Sequence, residues 1–91
     1  LCATIFAQLP ACRIFNHYGP TEATICTSVF EVPREGGATP TLGHPICGAR
    51  VLLLDEDGAE VPHGTTGEIA IAGETLALGY HHRPDLTEER F

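Results

Sequence analysis

The sequence contains no lysine, methionine or tryptophan, and 12 acidic residues outnumber the 5 basic residues, all of which are arginine. With histidine counted as neutral, the formal net charge is -7 at pH 7. A nucleic-acid-binding domain needs a basic patch that displaces phosphate counterions, so this balance argues against that class of protein. For the same reason it argues against an anionic membrane surface as a partner.

Long apolar runs are also missing, and none approaches the roughly 20 residues that a membrane-spanning helix requires. Hydrophobic residues make up 43% of the chain and charged residues 19%, which is typical of globular domains and argues against disorder. A chain of 91 residues can bury one modest core. It begins at Leu1 without Met or a signal-like segment and stops at Phe91 inside a helical pattern, so we expect a piece of a longer protein.

The cysteines form no C-x-x-C pair. Four cysteines in a short chain are compatible with a secreted disulfide framework, but without a secretory signal we favour buried free thiols in a reducing compartment, and hence a cytoplasmic location. A zinc site is less favoured, because His81 and His82 are adjacent and in a strand would point to opposite faces. The cysteines are Cys2, Cys12, Cys26 and Cys47.

The apolar pattern predicts two helices and four strands. Gly36, Gly37 and two prolines mark residues 33–40 as a surface loop and as the boundary between two packing units. Pro84 favours a helix start, and the spacing of Asp85 and Glu88 is that of a capping box. We predict helices at residues 1–9 and 83–90, a loop at residues 17–22, one helical turn at residues 21–24 before the second strand, and strands at residues 13–16, 23–32, 49–54 and 68–72.

The loop after the first predicted strand carries the side chains with the clearest chemistry. Tyr18 offers an aromatic face for a base, Thr21 a hydroxyl donor for a phosphoryl oxygen, and Glu22 a hard oxygen ligand for Mg²⁺. Gly19 lets the backbone approach a ligand closely, and Pro20 fixes the bend. From residue chemistry alone, a purely structural Tyr-Gly-Pro turn is the more common alternative.

Residues 16–22 read Asn-His-Tyr-Gly-Pro-Thr-Glu and resemble the Asn-x-Tyr-Gly-Pro-Thr-Glu motif of adenylate-forming enzymes, specifically of nonribosomal peptide synthetase adenylation domains. Residues 67–73, 76–80 and 83–91 resemble the next core motif of that family, and residues 42–46 and 51–64 fit its linking strands. The resemblance covers essentially the whole chain. It implies an α/β edge plus a mostly antiparallel β fold: a fragment of the large N-terminal domain that includes most of its distorted β-barrel subdomain.

The resemblance also divides the chain and assigns roles. Residues 1–35 would be the trailing part of a nucleotide-binding α/β subdomain, and residues 37–91 a β-barrel-like subdomain with a helix start. Catalysis would involve Thr21 and Glu22, with Glu22 as the Mg²⁺ ligand and Tyr18 stacked on adenine. ATP or AMP would contact Asn16, His17, Tyr18, Gly19 and Thr21, and the amino-acid pocket would be lined by His17, Ile25 and Cys26.

The implied reaction joins an amino acid to MgATP as aminoacyl-adenylate and then loads a phosphopantetheine thiol on a peptidyl carrier protein. The chain has no glycine-rich phosphate loop, no ribose-binding Asp at the family's position and no lysine, so alone it is expected to be inactive. Leu78 stands where the family usually has a basic residue. Two alternatives stay open: a fragment of an acyl- or aryl-CoA ligase, and a stand-alone β-rich binding module.

Overall fold

Two antiparallel sheets and three short helical segments make up the fold. The computed structural model describes residues 1–37 and 39–91; Ala38, in the predicted surface loop, lies outside the described residues. In chain order the elements are α1 (Cys2–Gln8), β1 (Ile14–Tyr18), a 3₁₀ turn (Thr21–Ala23), β2 (Ser28–Val32), β3 (His44–Pro45), β4 (Ala49–Leu54), β5 (Glu68–Gly73) and α2 (Pro84–Arg90).

The predicted helices and the strands of the second half are confirmed, but the first half differs in two places. The first strand continues through His17 and Tyr18, which were predicted to be loop, because both residues pair with β2. The second strand begins only at Ser28. Thr24 and Ile25 have positive φ values of 60° and 72°, a conformation that interrupts an extended strand before it can begin.

The first sheet has the order β1-β2-β3. Its β1 and β2 strands pair antiparallel from Ile14 opposite Val32 to Tyr18 opposite Ser28. The short β3 strand then pairs with the start of β2, so residues beyond the predicted surface loop return to the same sheet. Around this sheet lie the most buried side chains: Phe6, Ala23, Thr27, Ser28 and Val32.

Arg34 joins helix α1 to the end of β2. Its guanidinium donates hydrogen bonds to the carbonyl oxygens of Phe6, at 3.1 Å, and of Cys12, at 2.8 Å. The guanidinium carbon also lies 4.4 Å from the centre of the Phe6 ring, within the range of a cation–π contact. A single arginine thus satisfies carbonyl groups near the helix end and covers its buried aromatic residue.

The second sheet consists of β4 and β5, paired antiparallel from Ala49 opposite Gly73 to Leu54 opposite Glu68. After β4, the Asp55 carboxylate accepts backbone hydrogen bonds from Asp57 at 3.0 Å and Ala59 at 2.8 Å, which closes the predicted turn. The radius of gyration is 16.5 Å, whereas a compact domain of this length has about 12 Å. The sheets therefore form an extended body with many apolar side chains exposed.

Helix α2 begins differently from the prediction. Arg83 is the N-cap residue and no side chain caps the helix, so the expected Asp85–Glu88 capping box is wrong. Instead the Asp85 carboxylate accepts two hydrogen bonds from the Arg83 guanidinium, at 2.9 and 2.6 Å, which commits it to an ion pair. Neither helix in the described residues has the length and apolar character needed to cross a bilayer.

The four cysteines are free thiols. Cys2, Cys12 and Cys26 are half-buried. Cys47 is exposed, which corrects the prediction that the thiols are buried, because it lies in the turn between β3 and β4 rather than on a packed strand face.

The Arg13–Glu31 ion pair yields a pH prediction. Two hydrogen bonds of 2.7 Å from the Arg13 guanidinium hold the pKa of the Glu31 carboxyl below its ordinary value of 4.5. Arg13→Gln should therefore raise this pKa, as measured by carbon NMR titration of Glu31. Because the folded-state pKa is lowered, any stability from the pair is present above the ordinary pKa and lost as pH falls through the lowered value.

The matched control is Arg50→Gln, which removes an arginine from the other sheet and should leave the Glu31 titration unchanged. Side-chain exposures of 67% and 48% place the pair at the surface, where such pairs contribute little to stability, so the pKa is the sensitive readout. An unchanged Glu31 midpoint in Arg13→Gln would contradict the assignment.

Candidate functional site

The motif of residues 16–22 lies at the end of the β1–β2 hairpin. Strand β1 alternates, so Ile14, Asn16 and Tyr18 are half-buried on one face, while Phe15 and His17 are exposed on the other. The amide of Thr27 donates to the carbonyl of Tyr18 at 2.8 Å, which extends the strand pairing up to the connecting loop. Strand pairing therefore determines that β1 ends at Tyr18 and that the loop begins at Gly19.

A tight turn folds the loop back on itself. The Pro20 carbonyl accepts hydrogen bonds from the amides of Ala23 and Ile25, both at 3.1 Å. Ala23 is fully buried beneath this turn. Thr21, at its start, is exposed. The turn thus presents the Thr21 hydroxyl to solvent while its floor is packed.

Glu22 is anchored by residues 74–80, which lie within the second motif region of the sequence. Its carbonyl accepts a hydrogen bond of 2.7 Å from the Ala77 amide. Two residues on, the Thr24 hydroxyl donates to the Thr75 carbonyl at 2.5 Å. At the side-chain level, the Tyr80 hydroxyl donates to carboxylate atom Oε1 of Glu22. Ala77 therefore holds the backbone of Glu22, and Tyr80 holds its side chain.

This contact favours the charged form of Glu22. The hydrogen bond from Tyr80 is the main reason that the pKa of the Glu22 carboxyl is lowered, with smaller contributions from its own backbone amide and from the positive charge of Arg90. The same bond is the main reason that the pKa of the Tyr80 hydroxyl is raised, because ionising the phenol would remove the donor. Tyr80 is thus a neutral donor to an ionised carboxylate.

Tyr80 is itself held by helix α2. Its amide donates to the Thr87 hydroxyl at 2.9 Å, and its carbonyl accepts from the Arg83 amide at 3.1 Å. Its ring meets Phe91 edge-on, with ring centres 5.8 Å apart and an interplanar angle of 82°. The position of the phenol is therefore set by packing and by the main chain, independently of its bond to Glu22.

The predicted amino-acid pocket residues are only partly brought together. The His17 ring atom Nδ1 lies 2.9 Å from the Cys26 sulfur, which joins two of the three. Ile25 is 73% exposed, because its positive φ turns its side chain outward. On the other face of β1, the Asn16 side chain donates to the Thr41 carbonyl at 2.7 Å. His17 and Tyr18 therefore face opposite sides of the hairpin.

Glu22 is suited to hold a metal ion as a single carboxylate ligand. No group of three or more His, Cys, Asp or Glu side chains with metal-site geometry occurs within residues 1–37 and 39–91. Mg²⁺ commonly takes one or two protein carboxylates and completes its shell with substrate phosphates and water. Glu22 lines a cleft of about 570 Å³, whose wall also includes Tyr80, Ile69 and Arg90. The Glu22 carboxylate is thus chemically suited to be one ligand of such a shell, while Tyr18 and Thr21 lie outside the wall of this cleft.

The structure adds Thr75, Ala77 and Tyr80, to which the sequence analysis assigned no role. Tyr80 lies 58 residues from Glu22, a separation that no local pattern can bridge. The Gly79-Tyr80 pair of the second motif was the one available signal. Leu78, the departure from the family pattern, is fully exposed, so its side chain has no role in holding the loop.

Comparison with known proteins identifies relatives. The family model of "AMP-binding enzyme" matches residues 2–81. A linear gramicidin synthase from Brevibacillus parabrevis is 49% identical over 80 residues, which span 86% of this chain but 2% of that protein. Bacitracin synthase 3 from Bacillus licheniformis is 42% identical over 86 residues, or 94% of this chain and 1% of that protein. The chain thus spans a small part of the curated relatives that it matches.

Solved structures agree with this family. A solved NRPS protein containing adenylation and PCP domains is 37% identical with a TM-score of 0.76, over 90% of this chain and 17% of that one. A four-domain nonribosomal peptide synthetase bound to AMP and glycine is 37% identical with a TM-score of 0.79, over 87% of this chain and 6% of that one. The mostly antiparallel fold predicted from the sequence is therefore confirmed.

The close approach at Gly19 yields a test of the loop. A methyl group added there would lie 2.7 Å from both the Ile25 carbonyl oxygen and the Thr27 amide nitrogen. Both atoms belong to backbone, so Gly19→Ala should open the turn and break the Thr27–Tyr18 hydrogen bond. We expect faster hydrogen exchange at the Thr27 amide.

The control is Gly36→Ala. Gly36 has a φ of +90° with nothing within 4 Å, so alanine there meets only the backbone cost of about 1–2 kcal/mol for a left-handed residue. Thr27 exchange should stay as in the unmodified chain. Equal Thr27 protection in the two variants would refute the steric argument.

Proposed function

This chain belongs to the AMP-binding enzyme family, and from that membership we propose that it is the part of an amino-acid-activating adenylation domain that contacts the nucleotide. The observation that carries the proposal is the placement of residues 16–22 at a hairpin end, with the Glu22 carboxylate fixed by Tyr80. The matched peptide synthase, at 49% identity, supports this assignment over an acyl- or aryl-CoA ligase. The small share of that relative that the chain spans argues against a stand-alone module.

The proposed roles follow the geometry of the loop. Tyr18 would stack on adenine, with the main chain at Asn16, His17 and Gly19 near the base. The exposed Thr21 hydroxyl would donate to the α-phosphate or to the substrate carboxylate. Aromatic stacking on a base tolerates the open setting that the end of a strand provides.

Glu22 would hold Mg²⁺, which when bound neutralises charge on the phosphates. Phosphoryl substitution needs little covalent help from a protein, so positioning and electrostatic stabilisation are the main tasks of these residues. The Tyr80 hydrogen bond lowers the pKa of the Glu22 carboxyl and so further favours the charged form that a metal ion needs. Thr21 and Glu22 lie in the same short 3₁₀ turn and would act on the same phosphate region.

The proposed reaction is substitution at phosphorus. The amino-acid carboxylate oxygen bonds to the α-phosphorus of ATP, the bond from that phosphorus to the bridging oxygen breaks, and pyrophosphate leaves. The thiol of a phosphopantetheine arm on a peptidyl carrier protein then attacks the acyl carbon and releases AMP. His17, Ile25 and Cys26 would line the amino-acid pocket, in which His17 and Cys26 already touch.

The chain would form parts of two subdomains of a longer protein. We propose that residues 1–35 belong to a nucleotide-binding subdomain and residues 37–91 to a β-barrel-like subdomain, with β3 carrying the chain back onto the first sheet. Exposed apolar residues such as Leu53 and Phe15 would be covered by other parts of the longer protein. We place that protein in the cytoplasm, because the four cysteines are free thiols.

The chain alone is expected to be inactive. The 91-residue chain should show no ATP–pyrophosphate exchange with any amino acid, because its basic residues include no lysine to neutralise the reacting phosphate. The longer protein that contains it should show exchange. Radiolabelled pyrophosphate incorporated into ATP measures both, and exchange by the 91-residue chain would overturn the requirement for the missing parts.

The metal-ligand role of Glu22 can be tested in the longer protein. Glu22→Gln keeps the shape of the side chain but removes the charge that would hold Mg²⁺. Exchange should fall by roughly 100-fold or more, since even outer-shell partners of metal ligands cost about 10- to 100-fold. Glu56→Gln, at an exposed turn, is the control and should keep the full rate. Unchanged rate and Mg²⁺ dependence in Glu22→Gln would rule out the metal-ligand role.

A further inference from the structure

We infer that Tyr80 is a positioning residue that orients the Glu22 carboxylate for the metal ion, an inference that rests on the proposed function. The phenol donates to Oε1 of Glu22, across 58 residues of sequence. A carboxylate has two oxygens and about four lone-pair sites, so one donor leaves capacity for a metal. Tyr80 would thus act through Glu22 and need not touch the nucleotide.

The first support is that Tyr80 makes the main contact to the Glu22 carboxylate; the other favourable influences on it are its own backbone amide and the charge of Arg90. Glu22 lies in a 3₁₀ turn of three residues, Thr21–Ala23, which is too short to fix a long side chain by packing. The backbone of Glu22 is held by the Ala77 amide, but that bond leaves the side-chain torsions free. Within the described residues, Tyr80 is the side-chain donor recorded for this carboxylate.

The second support is that Tyr80 is rigidly held. Gly79 has a φ of +133°, and a side chain there would collide with Thr87, so the backbone before Tyr80 packs directly on helix α2. The Thr87 hydroxyl accepts from the Tyr80 amide and donates to the Arg83 carbonyl, at 2.9 and 3.0 Å. Because the Tyr80 hydroxyl is held in place, it can fix the flexible Glu22 carboxylate. A flexible donor could not have done so.

The third support is electrostatic. A hydrogen bond to a charged acceptor is about twice as strong as one between neutral groups, so the phenol selects one carboxylate orientation over others. Outer-shell donors of this kind orient metal ligands, and their loss commonly costs about 10- to 100-fold in metal affinity or activity. Tyr80, which is held against helix α2, would thereby orient Glu22 through a single hydroxyl group.

The test uses Tyr80→Phe in the longer protein. Phenylalanine keeps the ring that packs on Phe91 and removes only the hydroxyl. Calorimetry should show about tenfold weaker binding of MgATP, while binding of ATP in EDTA should be unchanged, because the hydroxyl matters only through the metal ligand. A merely structural role would weaken both forms of the nucleotide equally. Thr66→Val, which removes a hydroxyl from an exposed turn, is the control and should change neither.

A double variant tests whether Tyr80 acts through Glu22. In a Glu22→Gln background, Tyr80→Phe should cause no further loss of MgATP affinity, because the oriented charge is already absent. Additive losses, equal weakening of both nucleotide forms, or unchanged MgATP binding in the single variant would each overturn the inference.

Failure of the proposed function is separable from failure of this inference. If the unmodified longer protein binds MgATP but catalyses no exchange with any amino acid, the reaction is wrong while the Tyr80 comparison still applies to nucleotide binding. If it binds no MgATP, the proposed function and this inference are both overturned.

Discussion

The hydrogen bond from Tyr80 to Glu22, with the backbone bonds beside it, joins the two halves of the molecule. The first half supplies a hairpin whose end carries the acidic residue, and the second half supplies the segment and helix that hold it. The contact needs both, because Glu22 lies in a turn of three residues and its donor lies just before helix α2.

Within the described residues the core is small. Few side chains are fully shielded, and Phe6 relies on Arg34 to cover its ring and to satisfy nearby carbonyls. Antiparallel strand pairing holds the chain in two sheets, with Tyr18 opposite Ser28 in one and Leu54 opposite Glu68 in the other. Local hydrogen bonding thus positions a site on a body whose apolar faces remain open.

The sequence predicted which helices and strands form better than it predicted the residues at which they begin and end. Helix α1, strand β4 and strand β5 follow from apolar spacing, because each reflects contacts within a few residues. The end of β1 was placed too early, since pairing with β2 extends it through Tyr18. The capping box at Asp85 was wrong because Arg83 offered that carboxylate a charged partner, which a spacing rule cannot weigh.

By itself the sequence determined the family, the acidic character and the Asn-His-Tyr-Gly-Pro-Thr-Glu motif of residues 16–22, because these depend on residue identity and spacing along the chain. The tertiary structure alone decided that His17 meets Cys26, that Ile25 turns outward and that Tyr80 holds Glu22. Each of these depends on the direction that a side chain takes after the chain has folded. Pairing between residues 58 apart is created by the positions of two sheets and a helix, and no local sequence signal encodes it.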